Sequence, residues 1–121
     1  MGFIEDEIEL VGHHKSKRLF ALFDTGADAN YIRENFFDGE FIENIGYIAI
    51  KADYIIEYSN GEIKHTEAVA FLELNYKAIK ARKPVFLVNP AMGHDIILGA
   101  EFMQIYGIIL DPKNETVYFS S

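Results

Sequence analysis

Leu22-Phe23-Asp24-Thr25-Gly26-Ala27-Asp28 is the stretch on which the fold turns. It closes the apolar run Leu19 to Phe23, which suits a strand buried on both faces, with one carboxylate and one hydroxyl on a tight turn that Gly26 permits. A lone Asp in such a place is an ordinary turn residue that satisfies neighbouring backbone N–H groups. What surrounds it decides between that reading and chemistry.

Working outward, Ile4 to Val11 reads as a first strand, Gly12-His13-His14-Lys15 as a turn and Arg18 to Phe23 as the returning strand. Ala29 to Ile32 follows the Asp24 to Asp28 loop as a short strand, and Arg33 to Asn44 reads as a loop with one helical turn. Tyr47 to Tyr58 and Glu62 to Leu74 are β-rich and joined by Ser59-Asn60-Gly61; Asn-Gly between such runs is a strong hairpin signal. Pro84 to Val88 is a strand, Asn89 to His94 a loop, and Asp95 to Leu98 a short apolar strand ending at Gly99. Ala100 to Tyr106 carries good helix formers, and Gly107 stops it. Ile108 to Leu110 and Thr116 to Phe119 form a last hairpin around Asp111-Pro112-Lys113-Asn114. The spacing of turns predicts one all-β domain of short strands over residues 1–121, with one short helix near the C-terminus.

Composition narrows the function. The 121 residues are 50% hydrophobic and 14% aromatic, enough for a core that buries roughly two-thirds of the unfolded surface. Eleven basic against 19 acidic residues give a net charge of −8, which argues against nucleic acid as a partner. The basic cluster Lys77, Lys80, Arg82 and Lys83 reads as a solvated loop or strand edge. With no cysteine, disulfides and thiolate chemistry are excluded. Met1 to Asp6 has neither the basic nor the apolar region of a signal peptide, Gly2 lacks a myristoylation context, and no apolar run approaches the roughly 18 residues of a membrane span. The expectation is a soluble, cytoplasmic protein with no membrane partner. His13, His14, His65 and His94 lack metal-ligand spacing and read as surface or loop residues, so neither metal nor cofactor is expected.

Together, Leu22-Phe23-Asp24-Thr25-Gly26-Ala27, the apolar Ile97-Leu98-Gly99 far downstream and the helix Ala100 to Tyr106 resemble the retropepsin-like aspartic proteases, in their cellular and prokaryotic branch. The resemblance covers about Glu9 to Val117: a hairpin, the Asp-Thr-Gly loop, a flap hairpin, then two apolar residues and a glycine leading into the helix. It implies an all-β, closed barrel with one short helix in which Asp24 is catalytic and Thr25 and Gly26 support the loop. It further implies that Gly26, Ala27, Asp28 and Ile97 line the substrate cleft with the flap residues Tyr58, Ser59, Asn60, Gly61 and Ile63. In viral members an Arg at the start of the helix pairs with the residue matching Asp28. Ala100 and Glu101 stand there instead, leaving Arg33 or solvent to meet Asp28.

The chemistry agrees with the resemblance. Peptide hydrolysis by water needs a base and an acid, and two carboxylates about 3 Å apart share one proton and divide those roles. The chain has one Asp-Thr-Gly: Asp95 precedes Ile96, Asp111 precedes Pro112, and Asp38-Gly39 lacks the hydroxyl. The second carboxylate must then come from another copy, which implies a C2 homodimer with each Asp24 on the axis. The expected function is aspartic endopeptidase action on peptides or unfolded proteins, favoured at acidic to mildly acidic pH. The alternatives are a catalytically silent peptide-binding module of the same fold and a structural dimerisation domain.

Overall fold

In the computed structural model, the structure describes residues 3–46, 48–50, 54–57, 61, 63–66, 69–82, 84–89 and 92–120. The N-terminal hairpin pairs β1 (Phe3–Val11) with β2 (Ser16–Asp24) along its whole length, from Phe3↔Asp24 to Val11↔Ser16. Alternation sends Ile4, Ile8 and Leu10 of β1 and Leu19, Ala21 and Phe23 of β2 to the core. The opposite face of β2 carries Phe20, Leu22 and Asp24. Phe20 is 63% exposed, so the run is buried on both faces only from Ala21 to Phe23, not along its whole length as its apolarity suggests.

The short β3 (Asn30–Ile32) follows the Asp24 loop. The next segment holds one 3₁₀ turn at Ile42–Asn44, the helical turn expected there, and buries Phe36, Ile42 and Ile45. It is tied to the first hairpin at two places. His13 and His14 donate backbone N–H bonds to Gly46 and Ile45, and Lys17 pairs with Asp38 (2.6 Å) and Glu40 (2.8 Å). Lys15 also pairs with Glu40.

Beyond it come β4 (Ile48–Ile50), β5 (Tyr54–Glu57), β6 (Ile63–Thr66), β7 (Val69–Phe71), β8 (Glu73–Tyr76), β9 (Ile79–Ala81), β10 (Val85–Val88) and β11 (Ile96–Leu98). The helix α1 spans Ala100–Tyr106, and Gly107 ends it with left-handed φ and ψ of 65° and 35°, as the sequence implies. β12 (Ile108–Asp111) and β13 (Thr116–Phe119) pair as the last hairpin, its turn held by Asn114 Nδ2 donating to Asp111 Oδ2 at 2.7 Å.

Nine strands form one sheet in the order β4-β7-β10-β3-β11-β2-β1-β8-β9, curled around the core as a half-barrel. Among the described residues no ladder joins β4 to β9, so the sheet stays open where a closed barrel was expected. The β5–β6 and β12–β13 hairpins are separate two-stranded sheets. At one end of the large sheet, β8 turns into β9 through Lys77, whose φ is +51°. Lys80 is thereby on the outermost strand, with Lys77 and Arg82 at its ends, all exposed; the basic cluster is a strand edge for the three of its members described. On the inner side Tyr76, 1% exposed, donates its hydroxyl to Asp6 Oδ2 at 2.7 Å and packs its ring 4.7 Å from that of Phe23.

Candidate active site

β2 delivers Asp24 to its C-terminal end, beside two strands that arrive from far along the chain. β11 runs parallel to β2 with Leu98↔Phe23 and Ile97↔Leu22 in register, and antiparallel to β3 with Ile97↔Tyr31. β10 then runs parallel to β3 with Leu87↔Tyr31. Register partners share a sheet face, so Asp24, Leu22, Ile97, Tyr31 and Leu87 all belong to the face opposite the core side chains Phe23, Ile32, Ile96 and Leu98. Leu22 is buried there, while Ile97, Tyr31 and Leu87 are half-buried. The carboxylate thus ends a strand whose outer face carries an apolar floor.

The loop itself is tight. Asp24 Oδ1 accepts the Gly26 N–H at 2.8 Å, and the Asp24 carbonyl accepts the Ala27 N–H at 3.1 Å. Among the described residues Asp24 makes no other side-chain hydrogen bond. Asp24 is half-buried, Thr25, Gly26 and Asp28 are exposed, and Ala27 is half-buried.

What fixes the loop is the element after β11. The Ala27 carbonyl accepts the Ala100 N–H at 2.6 Å, and the Asp28 carbonyl accepts the Glu101 N–H at 3.4 Å, so the loop uses N–H groups that the first helical turn leaves without intrahelical partners. Asn30 Oδ1 accepts the Gly99 N–H at 3.1 Å, and its Nδ2 donates to the Val85 carbonyl at 3.2 Å, joining loop, β10 and helix through one side chain. Gly99 is required by space, not by conformation: its φ of −93° suits any residue, but a Cβ would sit 2.4 Å from the Ala29 oxygen and 2.6 Å from the Ala27 oxygen.

Asp24, Thr25, Gly26, Ala27 and Asp28 follow one another in the loop, and Ile97 lies beside the strand that leads into it, in register with Leu22. β5 and β6 pair as a hairpin, with Glu57 opposite Ile63, and Gly61 is exposed at φ +85°. Tyr58, Ser59 and Asn60 lie outside the described residues. Asp28 has no ion-pair partner among the described residues, and Arg33 does not substitute for one. Its guanidinium donates to the backbone carbonyls of Asn35 (2.8 Å) and Met92 and stacks 4.2 Å over Phe37. No group of three His, Asp or Glu side chains able to hold a metal ion occurs among the described residues.

Sequence reasoning passed over four contributors. Leu22 and Tyr31 lie on the Asp24 face, and stepping two residues back from Asp24 would have found the first. Asn30, the loop's tie to Gly99 and β10, carries no local signal. Glu5, opposite Leu22, lies 3.2 Å from Nδ1 of His94, which brings that half-buried loop histidine to a β1 side chain on the Asp24 face.

No protein-family model matches the chain, and no curated protein matches it. Among the described residues the fold is β-sheet with one short α-helix, and the Asp24 loop is braced against that helix. Among the described residues no helix is long and apolar enough to cross a membrane.

Proposed function

We propose that the chain is a retropepsin-like aspartic endopeptidase that works as a homodimer in the cytoplasm. The observation that carries this reading is the Asp24 loop, bolted through Ala27 and Asp28 to the start of α1 beside the apolar row Leu22, Ile97 and Tyr31. Such a mount holds a carboxylate in a fixed direction at the edge of an apolar floor, as positioned acid–base chemistry demands. Phe3, directly opposite Asp24, and Phe20 on the same face are 64% and 63% exposed, giving a second copy apolar surface to bury next to the acid.

In the dimer, two Asp24 carboxyls share one proton. The ionised one takes a proton from a water lying between them, and the water oxygen bonds to the scissile carbonyl carbon. The protonated Asp24 gives its proton to the carbonyl oxygen. Collapse of that gem-diol breaks the C–N bond as one carboxyl passes its proton to the departing nitrogen and the other takes a proton from a gem-diol hydroxyl, which becomes the new carbonyl, so the dyad again holds one proton. Neither a metal nor a covalent enzyme intermediate takes part. An extended peptide lies along the floor with its side chains over Leu22, Ile97 and Tyr31, under the β5–β6 hairpin.

The test is digestion of an unstructured protein across acidic and neutral pH by the native chain and by Asp24→Asn, combined with dilution. Cleavage that vanishes with Asp24→Asn, and whose specific activity falls on dilution below the dimer's dissociation constant, supports the proposal. Cleavage that survives either treatment refutes it. An inert native protein that still binds a transition-state-mimicking peptide inhibitor indicates the silent binding module instead.

A further inference from the structure

A concavity lies on the helix side of the Asp24 loop. It has a volume of about 350 Å³ and is walled by Val85 and Leu87 of β10 and by Phe102, Ile105 and Tyr106 of α1. Ile105 is 68% and Val85 41% exposed, while Phe102 at 3% forms buried floor. Two carboxylates, Asp28 and Glu101, line it; both are exposed, and neither has a cationic partner among the described residues. Large apolar side chains left open to water beside unneutralised acids call for one kind of occupant, an apolar group carrying a positive charge close by.

We infer that this pocket binds a peptide segment in which a large apolar residue adjoins an Arg or Lys. The apolar side chain fills the space between β10 and α1, and the cation sits between Asp28 and Glu101. Two features favour this occupant. Leu87 belongs to the same sheet face as Tyr31 and Ile97, and Asp28 belongs to the Asp24 loop, so the pocket continues from the floor of the proposed cleft. The chain's net charge of −8 adds a general attraction for basic ligands. That the ligand is a peptide rests on the proposed function; the apolar-plus-cation chemistry does not.

The test measures binding to the Asp24→Asn protein, so that nothing is consumed. The probes are three capped peptides identical except that Leu is followed by Arg, by its neutral isostere citrulline, or by Glu. The Arg peptide is expected to bind about threefold to tenfold more tightly than the citrulline peptide, the range for two partly exposed charge pairs. Glu101→Gln should remove at least half of that ratio, and high salt should erase it. Ile105→Ser should weaken the Arg and citrulline peptides alike, by about fivefold, through lost apolar contact. Equal binding of Arg and citrulline peptides, a ratio unmoved by Glu101→Gln, or tightest binding of the Glu peptide would each overturn the inference. Failure of the peptidase reading is distinguishable: an inert native enzyme with the Arg preference intact leaves the pocket standing. Cleavage without any charge preference in binding removes the pocket and spares the peptidase.

Discussion

Gly99→Ala tests the bracing of the carboxylate loop most directly. The added Cβ would stand 2.4 Å from the Ala29 oxygen, 2.6 Å from the Ala27 oxygen and 2.9 Å from the Asp28 carbonyl carbon, all backbone atoms that no rotamer change can move aside. Reaching even a tight 3.0 Å contact requires the loop and the strand end to part by at least 0.6 Å. Overpacking of this kind costs about 1–3 kcal/mol. The same movement stretches the Ala100-to-Ala27 and Glu101-to-Asp28 hydrogen bonds, each worth about 0.5–1.5 kcal/mol. The expected loss is therefore about 2–6 kcal/mol, a large part of the roughly 5–15 kcal/mol that holds such a domain together. Thermal unfolding followed by circular dichroism should show Tm lowered by about 10 °C or more. Because the loop carries Asp24, kcat/KM for any peptide the native protein cleaves should fall by about a hundredfold in whatever fraction stays folded. Gly93→Ala is the control: nothing lies within 4 Å of its added Cβ, so its effect should stay within about 0.5 kcal/mol. A Gly99→Ala protein as stable as the Gly93→Ala protein would mean that the loop is not wedged against the helix.

Asp24→Asn should reduce peptide hydrolysis to the buffer background while shifting Tm by less than about 3 °C, since this half-buried side chain makes one local hydrogen bond; a large stability loss would instead make Asp24 a structural turn residue. Hydrogen bonds from Lys17 and the Glu40 N–H hold the Asp38 carboxyl below its ordinary 3.8, and those from Lys15 and Lys17 hold Glu40 below 4.5. Folded values lowered in this way add stability above the ordinary values and lose it as pH falls through the lowered ones, so the stability gap between native and Lys17→Met proteins in urea unfolding should narrow from about pH 4.5 downward. A gap constant into strong acid would refute the clamp. Tyr76→Phe should cost about 1–2 kcal/mol by removing the hydroxyl bond to Asp6. Burial, and then that bond, push the Tyr76 hydroxyl well above its ordinary 10.0, so its contribution is present below pH 10 and is lost as pH rises beyond it; ultraviolet titration should show one tyrosine ionising only as the protein unfolds.

The elements that sequence made legible are those whose signals are local. The Asp24 turn, the helix with its Gly107 stop and the hairpin at Asp111-Pro112 follow from turn and capping chemistry within a few residues. The apolar run from Leu19 to Phe23 also marked its strand, although period two alone could not reveal that Phe20 faces water. The β8–β9 hairpin escaped notice because its turn uses Lys77 at positive φ, a conformation that glycine or asparagine usually advertises. Closure of the barrel was expected from the resemblance, but whether the first and last strands of a sheet meet depends on curl and stagger that no single segment encodes. The site divided in the same way. Asp24, Thr25, Gly26 and Ile97 were visible as motifs, whereas Asn30 bonding Gly99, and Arg33 turning to Met92 instead of Asp28, depend on pairings across more than fifty positions of chain.

The open end of the large sheet bears on how copies of this chain avoid stacking without limit. β9 ends the ladder with its outer backbone groups unpaired by any described strand, a template on which a neighbouring molecule's edge could seed a fibre. Lys77, Lys80 and Arg82 crowd that rim with like charge, so an approaching identical rim is repelled before main-chain bonds can form. Its positive fringe, on a chain acidic elsewhere, thus acts as a gatekeeper against aggregation, and threonines in place of those three side chains would remove the guard.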